Sequence, residues 1–205
     1  MYRSNPLRLI VAGTPRGGTN FVRFALKEMK YDTSHEGIFN DATYHAPERL
    51  ETELLGSTAE IEVSGFAAPF VREAAKQGVK IVQLICNPVD FVNSVLHRWP
   101  NAYGSFAVPG RAPPHKRIAQ WWLKQHEEIL LHSSCIIMLE KIDKEFVHIL
   151  YELGVKYHQI DADAVARALK RSPREKSASG APRVYEMADL PEAVQEFASG
   201  FGYGS

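Results

Sequence analysis

Residues 13 to 20, Gly-Thr-Pro-Arg-Gly-Gly-Thr-Asn, combine glycines that free the backbone with a single cation, Arg16. Glycine lets successive N–H groups turn inward, and a helix beginning at the end of such a loop adds partial positive charge. The product is an anion cradle suited to phosphate or a close analogue. Gly13 and Gly18 keep the spacing of the nucleotide loop G-x-x-x-x-G-K-S/T, but Thr19 and Asn20 follow where that loop has Lys and a hydroxyl. The groups that reach terminal phosphates and hold Mg²⁺ are therefore missing, and the loop reads as one adapted to something other than a Mg-nucleoside triphosphate. A strand and a helix must position it. The apolar run Leu7, Leu9, Ile10, Val11 predicts a buried strand over 7–12, and an amphipathic pattern predicts a helix starting at Thr19 or Asn20.

A second segment, VKIVQLICNPVDFVNSVLHRW, repeats the strand-to-helix plan, with Asp90 and Ser94 one turn apart on the helix after Pro88. With this segment the chain resembles a known family. TPRGGTNFVRFAL is similar to the 5′-phosphosulfate loop of sulfotransferases, P-K/R-S/G-G-S/T-S/T, enzymes that use 3′-phosphoadenosine-5′-phosphosulfate (PAPS) and release PAP. The second segment resembles their 3′-phosphate motif, R-N/D-P-x-D/E-x-x-x-S. Asn87, Pro88, Asp90 and Ser94 fall in register, and Cys86 stands where the motif has arginine. Weaker likenesses in EIEVSGFAAPFV, WWLKQHEEIL, CIIMLEKI and FASGFGYG keep the order of small bacterial-type sulfotransferases, so the resemblance spans nearly the whole chain.

The resemblance implies an α/β fold, a single P-loop NTPase-like domain with a central parallel sheet flanked by helices. It implies transfer of a sulfuryl group from PAPS to a hydroxyl or amine, with no metal required. Arg16 would stand beside the bridging oxygen, and Pro15, Gly17, Gly18, Thr19 and Asn20 would complete the 5′ site. Asn87 and Ser94 would belong to the 3′ site. With Cys86 in place of the arginine, either the 3′ site is weaker or Arg98 or a basic residue of the 172–186 loop, Arg174, Lys176 or Arg183, fills in. EKSASG in that loop is similar to a late family motif, R-K-G-x-x-G, with Lys176 and Gly180 at the matching positions. Glu36, 20 residues beyond Arg16, corresponds to the catalytic glutamate of several bacterial and carbohydrate sulfotransferases, and His35 is the other candidate base. A carboxylate serves as base when its cleft raises its pKa toward neutrality.

The bulk numbers narrow the classes. A chain of 205 residues, 45% hydrophobic, suits one domain with a real core. Lys plus Arg equals Asp plus Glu at 24 each, so no global field favours a nucleic-acid partner. Two cysteines, Cys86 and Cys135, read as small apolar residues rather than a disulfide framework, and no charged leader precedes the first strand. No apolar run approaches the roughly 20 residues of a membrane span. These features predict a cytoplasmic location. The eight histidines form no H-E-x-x-H and no Cys/His cluster, which predicts no metal site.

Further strands are expected over 79–85 and 135–139, with 60–63 as a short edge strand; helices are expected over 19–30, 68–77, 89–98, 115–132, 143–153, 161–170 and 190–199. Uniformly apolar strands alternating with helices predict a parallel sheet covered on both faces. Gly154 and Asp161 read as helix caps, and Pro191 as a first-turn residue. Trp121 and Trp122 read as core. Trp99, Tyr103 and Phe106, in the irregular loop 99–114, suit the wall of a pocket for a small-molecule or carbohydrate acceptor. Two other readings stay open: a P-loop kinase or NTPase using Glu140 after strand 135–139, and a non-catalytic PAP-binding protein, which Cys86 favours.

Overall fold

Alternation along the strands builds a two-sided core. In strand β1 (Leu9–Ala12), Leu9 and Val11 face one apolar cluster while Ile10 and Ala12 face the other. Strand β4 (Lys80–Ile85) divides likewise, with Val82 and Leu84 on the first side and Ile81 and Ile85 on the second. Such strands must be covered on both faces, and they are. The computed structural model describes residues 7–40, 58–98, 108–172 and 184–204. Within them lies one five-stranded sheet of order β2-β3-β1-β4-β5, with every adjacent pair parallel; β2 is Thr33–His35, β3 Ile61–Ser64 and β5 Cys135–Met138. The fold class read from the sequence is the one observed.

Helices α1 (Thr19–Glu28), α5 (Ile142–Glu152) and α6 (Ala162–Arg171) cover one face through Val22, Leu26, Phe146, Ile149, Val165 and Leu169. The other face carries α2 (Val71–Lys76), α3 (Pro88–Arg98), α4 (Pro114–Leu130) and α7 (Glu192–Ser199), with Phe91 stacked on Trp121 at 6.0 Å. Asp161 caps α6 by accepting from the Ala164 N–H at 3.0 Å, and Gly154 ends α5 at φ 90°. No helix among the described residues is long and apolar enough to cross a membrane.

Three sequence expectations are corrected. The 60–63 run, expected as a short edge strand, is interior, between β2 and β1, and its Glu62 is buried with its own donors. Among the described residues the edge on that side is β2, whose sequence Thr-Ser-His carries no apolar signal. The 68–77 helix opens as a 3₁₀ turn over Ala68–Phe70, around Pro69, and only Val71–Lys76 is α-helical. Strand 135–139 stops at Met138, where a 3₁₀ turn over Leu139–Lys141 leads into α5.

One buried polar pair gives the fold a pH dependence. Gln83 of β4 donates to the carbonyl of His126 at 2.9 Å and faces its Nδ1 at 3.1 Å, both residues fully buried. Burial pushes the His126 pKa down to about 3. The unfolded imidazole takes up its proton near pH 6.5 while the folded one does not, so this stabilising contribution is complete above that pH and is lost as pH falls. Between pH 7.5 and 5 the loss amounts to about 2 kcal/mol. Urea unfolding of the wild type and of His126→Phe at both pH values is expected to show that excess loss only in the wild type. An equal loss in both would assign the acid sensitivity elsewhere.

Candidate active site

In a parallel sheet the loops after the strands gather along one edge, and the crevice opens where the chain turns to build outward in the other direction. Here β1 is flanked by β3 and β4, so residues following β1, β2, β3 and β4 converge there. The loop after β1 closes on itself by a hydrogen bond from the Gly17 N–H to the Thr14 carbonyl at 2.8 Å. That bond uses one of the four N–H groups expected to face an anion. Gly18, at φ 86°, caps α1 with no side-chain acceptor, so the first-turn N–H groups of Thr19 and Asn20 have no carbonyl a turn back. An orphan helix start beside a cationic residue offers the donors that a phosphate-type anion needs. Arg16 itself lies at φ 67°, in the left-handed region that non-glycine residues seldom occupy.

The Arg16 side chain reaches the second motif. Its Nε donates to the Ser94 hydroxyl, 3.4 Å away, on the buried side of α3. Asn87 has a local structural task. Its side-chain oxygen accepts from the Val89 N–H at 2.8 Å, capping α3 ahead of Pro88. Its own N–H donates to Glu140 at 2.9 Å, and Glu140 also accepts from the Tyr203 hydroxyl. Cys86 is buried beneath the loop, its sulfur 3.4 Å from where a side chain on Gly17 would begin and 3.9 Å from the Thr14 hydroxyl. Burial, and then the charge of Glu140, push the Cys86 thiol up to about 12, so it is a neutral packing residue under the loop. Arg98 is exposed at the last turn of α3, four residues beyond Ser94 and hence on the same helical face. Lys176, with Arg174, Arg183, Trp99, Tyr103 and Phe106, lies outside the described residues.

Beside the start of α1 stand His35 and Glu36. The Thr19 hydroxyl and His35 Nε2 are 3.2 Å apart, and the same nitrogen lies 3.9 Å from a Glu36 carboxylate oxygen. Glu36 directly follows β2 in a left-handed conformation, φ 53°, with its N–H donated to the Val63 carbonyl at 3.2 Å. Burial raises the Glu36 pKa and the neighbouring Glu62 raises it further; a hydrogen bond from the Gly65 backbone opposes them. Arg16, Thr19, His35 and Glu36 thus come from two strand ends that meet at one edge.

Glu62, Ser34 and Gly65 were not singled out from the sequence, although Glu62 and Gly65 lie in the EIEVSG stretch. Glu62 is fully buried on β3. Gly65 passes so close to Pro15 that any side chain would strike the Pro15 backbone, which keeps the loop against the end of β3. An acidic residue inside an apolar run followed by Ser-Gly is the only signal that pointed there.

No protein-family model matches the chain, and no curated protein matches it. Solved structures do. A sulfotransferase domain from the curacin biosynthetic pathway is 15% identical, covers 97% of this chain and 98% of its own, and superposes with a TM-score of 0.53. The sulfotransferase domain of the Synechococcus PCC 7002 olefin synthase is 12% identical, with 97% and 95% covered and a TM-score of 0.59. Mouse sulfotransferase SULT7A1, solved as its complex with PAP, is 14% identical over 82% of this chain and 64% of that one, with a TM-score of 0.53. With its five parallel strands in the order 2-3-1-4-5 and a glycine-rich turn opening the first helix, this chain has the fold of the sulfotransferase domains.

Proposed function

We propose that the protein is a sulfotransferase that moves a sulfuryl group from PAPS to a hydroxyl or amine of a small molecule or carbohydrate, releasing PAP. The observation that carries this reading is the hydrogen bond from Arg16 to Ser94. It joins the cation of the loop after β1 to the hydroxyl of the helix after β4, the two places where the 5′- and 3′-phosphates of one donor would bind. SULT7A1, with the same fold, was crystallised with PAP.

The roles follow from position. Thr19 and Asn20 offer backbone donors at the start of α1 for the 5′-phosphate. Arg16 supplies positive charge to the oxygen that becomes the leaving group. Glu36 takes the acceptor's proton as its oxygen or nitrogen attacks sulfur; the bond from sulfur to the bridging oxygen breaks, and PAP leaves with that electron pair. A carboxylate of raised pKa suits that step better than an ordinary one, because its proton affinity lies nearer the working pH. His35, bonded to Thr19, is the alternative base. A sulfuryl group carries less charge than a phosphoryl group, so the loop can work with Asn20 where a nucleotide loop has its Mg²⁺ hydroxyl. A phosphotransferase reading loses ground at Glu140, whose oxygens are taken by the Asn87 N–H and the Tyr203 hydroxyl.

Thermal unfolding with PAP and with ATP–Mg²⁺ at equal concentration tests the donor. PAP is expected to give the larger rise in Tm. A larger rise with ATP–Mg²⁺ would overturn the assignment, while PAP binding without turnover of PAPS across an acceptor pool would leave a binding protein.

A further inference from the structure

Behind Glu36 lies a second carboxylate that the proposed reaction does not consume. Glu62 points from the middle of β3 into the turn that follows β2, and its side chain is fully buried. Four donors converge on it: the Ser34 hydroxyl, and the backbone N–H groups of Gly37, Ile38 and Phe39, the Ile38 bond being 3.1 Å long. Every one of these groups can donate. The site is therefore built for an anion, and three of its four donors are the residues that directly follow Glu36. Ser64 adds a further tie, donating to the Phe39 carbonyl at 2.6 Å. The turn is thus held to β3 by hydrogen bonds as well as by the packing of Ile38 and Phe39 in the core, where Phe39 stacks on Phe70 at 5.4 Å.

We propose that Glu62 is a positioning residue for Glu36: by holding the 37–39 backbone from below, it keeps Glu36 in its left-handed conformation at the strand end, aimed beside the start of α1. This rests on the reading of Glu36 as the base. A buried carboxylate whose donors are backbone groups is costly to place, since an isolated charge loses its hydration. A hydrophobic residue in β3 would serve the core better. What the carboxyl adds is the geometry of one turn and, when ionised, a negative charge near Glu36; burial raises its own pKa, and the hydrogen bonds from Ser34, Ile38, Phe39 and Gly37 oppose that rise. Burial and then that charge raise the proton affinity of Glu36. Among the described residues His35, at the end of β2, also faces Glu36, 3.9 Å away, and Gly65 contributes a backbone N–H from beyond β3.

Two variants divide the roles. Glu62→Gln keeps the reach and removes the charge; Glu62→Asp keeps the charge and shortens the reach by one methylene. In free protein labelled with ¹³C at glutamate carboxyls, the Glu36 resonance, identified by its absence in Glu36→Gln, is expected to titrate at lower pH in Glu62→Gln than in the wild type. Amide hydrogen exchange at Ile38 and Phe39 is expected to quicken at least tenfold in both variants, with PAP affinity within about twofold of the wild type. If acceptor turnover is in hand, the acid limb of its pH profile moves to lower pH in Glu62→Gln, while the KM for PAPS holds. Unchanged titration and unchanged exchange would overturn the proposal, as would an equal loss of PAP affinity, which would make Glu62 a general support of the loop. Should neither variant fold, Ser34→Ala removes one donor from Glu62 and must still quicken exchange at Ile38. The titration and exchange measurements do not depend on sulfuryl transfer, so their failure is distinct from that of the base assignment, which fails on the turnover of Glu36→Gln.

Discussion

Replacing Glu36 by glutamine is expected to lower sulfuryl transfer by roughly a hundredfold or more while PAP affinity stays nearly constant. Glutamine keeps the shape and one acceptor oxygen but cannot take a proton from the attacking hydroxyl or amine. The substitution leaves the backbone at φ 53° with a side chain of the same branching, so the turn held by Glu62 stays in place. Burial and Glu62 raise the wild-type Glu36 pKa, so with Glu36 as base the acid limb of the wild-type rate profile is expected at higher pH than an unperturbed glutamate would give. Below that pKa the base is protonated and activity is lost; above it activity is full. Loss of this limb in Glu36→Gln, measured as release of PAP from PAPS over a pH series, is the signature sought. Near-normal turnover in the variant would transfer the role to His35, whose Nε2 lies 3.2 Å from the Thr19 hydroxyl.

Arg16→Ala is expected to slow transfer by roughly a hundredfold to a thousandfold, the cost of losing a charged donor to developing negative charge. The leaving phosphate gains charge only as the bond to sulfur breaks, so Arg16 contributes most in the transition state, and PAP affinity is expected to fall far less than turnover. Arg16 sits in the left-handed region, and alanine there carries the same backbone penalty while glycine relieves it. Arg16→Gly and Arg16→Ala should therefore lose similar activity if the guanidinium is what counts. A glycine variant near wild type, or a loss of PAP affinity matching the loss of rate, would make Arg16 an anchor of the loop alone.

By itself the amino-acid sequence determined whatever is encoded by neighbours along the chain. The run Leu9–Ala12, the Gly17-Gly18 turn and the amphipathic α1 specify a strand, a tight glycine turn and a helix within twenty residues, because β-branched periodicity and glycine freedom act locally. The Asn87-Pro88 start of α3 was equally plain, although the Asn87 side chain caps its helix and so has that local task first. Burial on both faces followed from uniformly apolar strands. Tertiary structure decided the rest. Arg16 and Ser94 are 78 residues apart in the chain and meet because β1 and β4 are hydrogen-bonded neighbours in register, Leu9 beside Lys80. The edge strand β2 has three polar residues and exists only because β3 pairs with it, Thr33 beside Ile61. Glu62 was not singled out along the chain; its carboxyl is tolerated in the interior because donors from Ser34 and from the 37–39 backbone reach it there. A buried charge is stable only where distant donors are brought to it, and a spacing pattern carries no record of which donors those are.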